Sequence, residues 1–306
     1  MAVLCVGFSF TLNMERFPNF AHIHLANFGG LVAFTAVWFL RLTPYEAFPI
    51  AVTASALLGA GLYLGVARPL VRQGKGAVTL TIAFLAASLM MNSVYMVIRY
   101  WLVLLGGVRD ASFRLSPYDW RVLGLPVSWL FVPLSSVALV MGLHLFLHRT
   151  RAGISLRAVS EDEDLASTLG VDTRRAHIAS WAIVGALTGF AGFSYALLSG
   201  LNPFGADALL VTVMAGSFIG GVTSVMGAAV GGFIIVAVQS LLVNSIGVWL
   251  SNHPVSGIIN SSQVLSLLGL LPYAVIWAIL LAEPEGLAAL LRRLRESRLL
   301  GKIRQV

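Results

Sequence analysis

The stretch Ala77–Ile98 reads AVTLTIAFLAASLMMNSVYMVI and contains no charged residue. A helix needs about 20 mostly apolar residues to cross the hydrocarbon core of a bilayer, so this stretch predicts a membrane-spanning helix. Similar charge-free stretches recur along the chain at Ile23–Leu40, Ala47–Val66, Pro126–Leu147, Ile178–Leu198, Val222–Val243 and Leu265–Leu281. Together they predict an all-α fold, a polytopic bundle of transmembrane helices.

The composition supports the same class of protein. Of the 306 residues, 58% are hydrophobic and 11% are charged, whereas a soluble protein carries roughly 25% charged residues. So few charges cannot cover a soluble surface, which excludes a soluble enzyme domain and a disordered chain. The single cysteine, Cys5, excludes an intrachain disulfide and a cysteine-based metal cage. We expect one membrane domain over residues 1–306, without a separate soluble domain.

Two shorter apolar stretches, Ala2–Met14 and Ala208–Ile219, complete the pattern. About 13 residues of helix extend roughly 20 Å, which is less than the hydrocarbon core of about 30 Å. Successive spans cross the membrane in opposite directions. This alternation places most basic residues on one side only if both short stretches also cross the membrane, at least in part. The sequence therefore predicts about eight or nine membrane segments.

The basic residues predict the orientation of the chain. Most of the 20 lysines and arginines lie in four regions: Arg16, Arg68–Lys75, Arg149–Arg175 and Arg292–Arg304. Alternating spans place these regions on one face, which the positive-inside rule makes cytoplasmic. This predicts a multi-pass protein of the cytoplasmic (inner) membrane, with a basic cytoplasmic tail at about 283–306 near anionic lipid headgroups. The net charge of +7 is therefore no sign of nucleic-acid binding.

The cytoplasmic loop at about 148–176 is too long for a simple connection between spans. It contains the signals of a short helix in order: Ser160 and Glu163 at capping-box spacing, the acidic residues Glu161–Asp164, an apolar stripe of Leu165, Ala166 and Leu169, and a stop at Gly170. A short helix is predicted at about Ser160–Leu169. It either joins two spans as a solvated surface helix or docks into a groove on a partner.

Parts of this loop resemble the cytoplasmic loop with which the permeases of ABC importers contact their ATPase. The matching residues are Arg157-Ala158, Glu161-Asp162, Ala166 and Leu169-Gly170-Val171. The loop is most similar to that of the branched-chain amino acid permease family. Four further stretches resemble other motifs of that family and occur in the same order: Asn19-Phe20-Ala21-His22, Leu201–Gly205, Gly220–Ala228 with Gly231-Gly232, and Glu283–Gly286. The resemblance extends from about Phe8 to Gly286.

The resemblance implies a permease subunit of an ABC importer, which forms the translocation path for branched-chain amino acids or related small polar solutes. It implies a second related permease subunit or a homodimer, two ABC ATPase subunits that bind ATP and Mg, and an extracytoplasmic solute-binding protein. The chain itself is expected to bind no cofactor. The resemblance also implies that a cytoplasmic coupling helix carries the motion of the ATPase through Arg157, Ala158, Glu161, Asp162, Ala166 and Gly170.

The predicted helices are interrupted by polar residues at two breaks, and these residues are candidates for the translocation path. The first break contains Asn19 and His22, and the second contains Asn202, Pro203 and Asp207. Polar groups at membrane depth need a partner or water. The alternative, which we favour for Asn19, Asn202 and Asp207, is that they cap broken helix ends. The two breaks lie on opposite predicted sides, which an inverted-topology repeat would explain. His22 and His24 lack a matching set of ligands, so no metal site is expected.

A glycine-rich stretch follows the second break and includes Gly216, Gly220, Gly221, Gly227 and Gly231. Small residues four apart let helices approach closely in lipid, which predicts helix packing within the chain. The alternative is that this surface faces a second permease subunit.

The sequence shows no catalytic or nucleotide-binding pattern. It contains neither a phosphate-binding GxxxxGK[ST] loop nor a catalytic dyad or triad, so we expect a transport subunit rather than an enzyme. Two rival interpretations stay open. An ion-driven secondary transporter would need an ionisable residue at mid-membrane, for which Asp207 and Arg99 are the candidates. The other is a membrane-embedded structural or receptor subunit.

Overall fold

A computed structural model of the chain describes residues 1–104, 106–108, 113–200, 206–221, 224–252 and 269–282. These residues are mostly helical, which confirms the predicted all-α fold. The helices are α1 (Ala2–Glu15), α2 (His22–Leu40), α3 (Pro44–Leu62), α4 (Arg68–Arg72), α5 (Ala77–Leu104), α6 (Ser128–Arg149), α7 (Arg151–Glu161), α8 (Glu163–Thr168), α9 (Thr173–Leu198), α10 (Ala206–Gly220), α11 (Val225–Asn252) and α12 (Leu271–Ala282). Between α5 and α6 the chain forms a 3-10 turn at Ser116–Tyr118 and a small antiparallel hairpin of β1 (Arg121–Val122) and β2 (Leu125–Pro126).

Six helices in the described part of the chain are long and apolar enough to cross a membrane: His22–Leu40, Pro44–Arg72, Ala77–Leu104, Ser128–Arg149, Thr173–Leu198 and Val225–Ile246. Each corresponds to a span predicted from the sequence, and the protein is a multi-pass membrane protein. The two short apolar stretches also form helices, α1 and α10. The last predicted span, Leu265–Leu281, corresponds to the 12 residues of α12, and residues 265–268 lie outside the described part. The total of eight or nine segments stays a prediction.

The span Pro44–Arg72 begins at a capping box. Thr43 Oγ1 accepts a hydrogen bond from the Glu46 N–H, and Glu46 Oε2 accepts one from the Thr43 N–H at 2.8 Å. Pro44 occupies the first helical position, where its missing N–H costs nothing and its ring keeps Thr43 extended. From this start the helix continues through a π-helical turn at Tyr63–Ala67 into α4.

The chain separates into two compact units, one of Phe10–Asp207 and one of Met1–Ser9 with Ala208–Val306. In the first unit, α2 and α9 form the centre, because their spans are 67% and 72% buried inside the protein. The spans of α5 and α6 are only 17% and 22% buried. These two helices are therefore peripheral in their unit and offer apolar surface to lipid.

Glycines bring α2, α3 and α9 unusually close together. A Cβ atom on Gly29 would stand 2.6 Å from the Cα of Gly189. A Cβ atom on Gly59 would collide with the carbonyl oxygen of Trp181. Real Cβ atoms do not come this close to backbone, so only glycine allows these helices their spacing. These glycines were not among the packing positions predicted from the sequence.

The second unit has its own small apolar core. Residues of α10, α11 and α12 pack together there: Ala215, Ile219, Ile235, Val275 and Ile276. The first residues of α1 belong to the same unit. In it, Ser217 Oγ donates a hydrogen bond to the carbonyl oxygen of Cys5 at 3.0 Å, which ties α10 to the start of the chain.

Candidate functional site

The segment between α6 and α9 consists of two helices rather than one. Thr150 Oγ1 accepts a hydrogen bond from the Gly153 N–H at 3.0 Å and so caps α7. At Asp162 the backbone becomes extended, with φ −152° and ψ 106°. Asp162 Oδ1 accepts a hydrogen bond from the Leu165 N–H at 2.9 Å and caps α8. We call residues 151–170, which comprise α7, Asp162, α8 and the C-terminal cap of α8, the α7–α8 segment.

The predicted start of the short helix at Ser160 is therefore wrong. Ser160 lies in the last turn of α7, where its hydroxyl donates to the Arg157 carbonyl at 2.8 Å. Glu163 begins α8 instead of closing a capping box with Ser160. The physical reason is a competition between two caps: Leu156 and Val159 extend the buried face of α7 almost to its end, and Asp162 is then available as a strong cap.

The end of α8 follows the sequence prediction. Gly170 has φ +86°, a left-handed conformation that glycine adopts at little cost. The Gly170 N–H donates to the Ser167 carbonyl at 3.0 Å and the Val171 N–H to the Ala166 carbonyl at 3.1 Å. This is the Schellman pattern that satisfies the last carbonyls of a helix.

The outer face of the α7–α8 segment mixes charge with apolar surface. Glu161 and Asp162 are exposed, and so are Leu165 and Leu169, whose relative exposures are 58% and 76%. Arg157 is exposed beside Glu161, with Nη2 and Oε1 3.8 Å apart, a contact that stabilises little at a surface. Of the other predicted coupling residues, Gly170 is exposed, Ala158 is half-buried and Ala166 is buried. The apolar stripe is thus divided, with Ala166 facing inward and the two leucines outward.

A cluster of mostly buried polar side chains, which was not predicted from the sequence, packs against the α7–α8 segment. Glu15 Oε1 accepts a hydrogen bond from Trp181 Nε1 at 2.8 Å and lies 2.8 Å from His177 Nδ1. His177 Nε2 lies 3.4 Å from Glu163 Oε1. Tyr63 stacks on the His177 ring, with 5.5 Å between centroids. The one available signal was Glu15 itself, the only acidic residue before Glu46, at the end of an apolar stretch.

Arg16, which follows Glu15 in the sequence, also contacts the α7–α8 segment. Its guanidinium donates to the carbonyl oxygens of Ser160 and Glu161, the second at 3.4 Å. These carbonyls belong to the last turn of α7, where the helix itself supplies no donor. The α7–α8 segment is therefore held in part by a side chain from near the N-terminus, about 145 residues away in the sequence.

A family model described as "Branched-chain amino acid transport system / permease component" matches residues 1–282. The chain belongs to this family. It is 29% identical to the probable branched-chain amino acid transport permease protein LivH of Methanocaldococcus jannaschii over 287 residues, which cover 94% of this chain and 88% of the relative. The permease is thus similar to that relative over nearly its whole length.

Two bacterial relatives are more distant. The permease is 23% identical to the high-affinity branched-chain amino acid transport system permease protein BraD of Pseudomonas aeruginosa, over 76% of this chain and 79% of the relative. It is 24% identical to the corresponding protein LivH of Escherichia coli K12, over 78% of this chain and 80% of the relative. No solved structure matches the permease.

The polar residues at the first helix break of the permease lie inside the protein. Asn19 and His22 are fully buried before and at the start of α2. Asn19 Oδ1 accepts a hydrogen bond from the Ala21 N–H at 3.0 Å, and the His22 N–H donates to the Asn19 carbonyl at 3.2 Å. Asn19 thus bonds a backbone group just before α2, whose N-cap position is Ala21 and has no side-chain cap; the choice between path and cap stays a prediction. Among the described residues, no group of three or more His, Cys, Asp or Glu could hold a metal ion.

The second helix break falls largely outside the described residues. Asn202 and Pro203 lie there, so their place in a path or a cap stays a prediction. Asp207 was predicted to precede its helix as the N-cap. In the structure α10 begins at Ala206, and whether Asp207 caps this helix or lines a path stays a prediction. The inverted repeat stays a prediction.

The glycines of the second unit lie where α10 meets α11. A Cβ atom on Gly220 would collide with the Gly227 carbonyl, and one on Gly227 with the Gly220 carbonyl. Gly231 faces the carbonyl of Gly216 in the same way. Gly221 differs from these four, because it ends α10 in a left-handed conformation with φ +88°. The small-xxx-small spacing thus coincides with close approach inside this unit.

Proposed function

We propose that the chain is the permease subunit of an ABC importer, and that it forms the translocation path for branched-chain amino acids or related small polar solutes. The family match over residues 1–282 supports this proposal. The relatives from M. jannaschii and E. coli are named as branched-chain amino acid transport permeases, which supports the substrate class. The chain is then a transport subunit, and ATP hydrolysis takes place on a separate polypeptide.

The outer face of the α7–α8 segment carries the proposal. It presents Leu165 and Leu169 beside the carboxylates of Glu161 and Asp162. Exposed leucines are unfavourable in water, and carboxylates are unfavourable in lipid. A protein partner with an apolar groove and nearby basic residues satisfies both. We infer that an ATPase subunit, which holds ATP and Mg, docks on this face.

The complete importer in this proposal contains two such ATPase subunits and a second permease subunit, related or identical. A solute-binding protein delivers substrate from outside the inner membrane. The α7–α8 segment and the basic tail at about 283–306 lie on the cytoplasmic side, as the distribution of arginines and lysines suggests. The whole chain then acts as one permease domain.

A pull-down from native membranes in mild detergent tests the proposal. The chain serves as bait, and the eluate is examined for an ATPase with a phosphate-binding loop. We expect the wild-type chain to recover this ATPase and the double variant Glu161→Lys, Leu169→Glu to lose it. Asp162 is changed to Asn in a separate variant, because asparagine removes the charge and keeps the cap of α8.

Lys75→Glu is the matched control, since Lys75 is exposed, lies on the same predicted face and is outside the segment. It should recover the ATPase as the wild type does. Recovery and transport that both survive in the double variant would refute the docking surface. An intact wild-type chain that recovers no ATPase would favour the ion-driven carrier, with Asp207→Asn as the next variant.

A further inference from the structure

Two consecutive residues at the end of α1 reach the two sides of one helix junction, Arg16 directly and Glu15 through His177. Arg16 donates to the carbonyls of Ser160 and Glu161, which end α7. Glu15 lies beside His177, whose other ring nitrogen is 3.4 Å from Glu163, the first residue of α8. The junction at Asp162 is therefore held from both sides by neighbouring residues of the chain.

The Arg16 side of this contact is favourable on electrostatic grounds. The last carbonyls of a helix lack donors of their own, and the negative end of the helix dipole attracts a cation. Arg16 reaches them from a left-handed backbone conformation with φ 59°. This conformation is uncommon for arginine, and it ends α1 so that consecutive side chains point to different partners.

The Glu15 side of the contact is buried. The Glu15 side chain is only 4% exposed and the His177 side chain 10%. Both ring nitrogens of His177 face carboxylate oxygens, and only a doubly protonated ring donates to both. Trp181 Nε1 supplies a further donor to Glu15. Both donors to Glu15 lie on α9, so separating the end of α1 from α9 would leave a buried carboxylate without donors, which is costly.

We propose that Glu15 and Arg16 form a clamp that holds the α7–α8 segment to α9 and to the end of α1, so that these parts of one unit move as one body during the transport cycle. The inference rests on the proposed function, because it makes these residues the positioning residues that couple ATPase motion to the membrane helices. Opening the Glu15 contact is costly, which keeps the end of α1 on α9, and from there Arg16 and His177 hold the segment while it moves.

The first test separates assembly from coupling. The permease is reconstituted in proteoliposomes with its ATPase and solute-binding protein, and substrate transported per ATP hydrolysed is measured. In Glu15→Gln and Arg16→Gln, we expect the ATPase to co-purify and this ratio to fall roughly tenfold, within the range typical of coupling free energies. A merely structural role would lower transport and hydrolysis together and leave the ratio unchanged.

Arg16→Gln protects the test against misfolding, because Arg16 is exposed and its loss leaves no buried defect. Arg16→Lys keeps the positive charge at the carbonyls and should restore much of the ratio. Glu46→Gln is the matched control, since that carboxylate belongs to the cap of α3. A ratio like that of the wild type in both Gln variants, with the complex assembled, would overturn the clamp alone. A wild-type chain that recovers no ATPase would overturn the proposed function as well.

A crosslink tests whether the clamp stays closed. Arg16→Cys and Ser160→Cys are combined, and a short thiol-specific crosslinker joins them; the one native cysteine, Cys5, is fully buried. We expect the crosslink to restore much of the transport per ATP hydrolysed that the uncrosslinked double variant has lost. Inhibition by the crosslink, relieved when a cleavable linker is cut, would show that the contact must open and would overturn the proposal.

Discussion

Asp162 accepts a hydrogen bond from the N–H of Leu165, and this 2.9 Å contact divides the segment between α6 and α9 into two helices. The division matters because it places Glu161 at the end of one helix and Glu163 at the start of the next. Arg16 then meets carbonyls of α7, and His177 meets the first carboxylate of α8. In a single helix through this region, the helix itself would supply donors to the carbonyls that Arg16 now bonds.

Asp162→Ala should loosen α8. Loss of an N-cap costs about 1 kcal/mol, which is a large share of the stability of a helix as short as Glu163–Thr168. We expect faster hydrogen exchange at the amides of α8 by mass spectrometry, while Asp162→Asn exchanges like the wild type. Equal protection in the two variants would show that another group begins α8.

Gly59→Ala and Gly61→Ala should change the free energy of unfolding in opposite directions, although the two positions are only two residues apart in α3. The new Cβ atom at Gly59 collides with the Trp181 carbonyl, whereas nothing lies within 4 Å of the one at Gly61. Overpacking of this kind costs about 1–3 kcal/mol, and alanine for glycine in an open helix position stabilises by roughly 0.5–1 kcal/mol. Thermal unfolding in detergent should show a lower midpoint only for Gly59→Ala. Similar midpoints would contradict the close packing of α3 on α9.

Thr43→Ala should cost about 1 kcal/mol through loss of the capping box at α3. Thr53→Ala is the matched control in the same helix, because its exposed hydroxyl donates only within that helix, to the Pro49 carbonyl at 2.8 Å and the Ile50 carbonyl at 3.1 Å. That substitution should stay within about 0.5 kcal/mol of the wild type. Denaturant or thermal unfolding of the two purified variants makes the comparison. A larger loss in Thr53→Ala than in Thr43→Ala would refute the cap.

Glu15→Gln and Trp181→Phe should be strongly non-additive in stability. Each change alone disturbs the same 2.8 Å hydrogen bond between Trp181 Nε1 and Glu15 Oε1, so a double-mutant cycle should give an interaction energy of about 0.5–3 kcal/mol. Trp181→Phe combined with Glu46→Gln should be additive, because the Glu46 carboxylate bonds Thr43 instead. Additivity in both pairs would mean that the buried bond adds no stability.

The capping-box signature shows how far local sequence carries a prediction. It occurs at Thr43 with Glu46 and at Ser160 with Glu163, yet only the first pair forms the box. Pro44 keeps Thr43 extended, so no helix can run through Thr43 and α3 must begin where the cap lies. Nothing comparable follows Ser160, and the helix before it continues to Glu161. The spacing supplies donors and acceptors, but the backbone decides whether they meet.

The sequence by itself determined the fold class, the long membrane spans and the family resemblance. Membrane insertion depends on the summed transfer of about 20 side chains, a property of composition along a stretch rather than of any neighbour. Gly170 as a helix stop was likewise readable, because its cause is local backbone freedom.

Only the tertiary structure decided the contacts between distant parts of the chain. Glu15 meets His177 across 162 positions, and Gly59 matters because Trp181 lies opposite it. A single sequence carries no record of such partners, since each depends on how whole helices pack. The composition along the chain therefore determines that this protein spans a membrane. The contacts of Glu15 and Arg16 near the α7–α8 junction form only when the helices pack together.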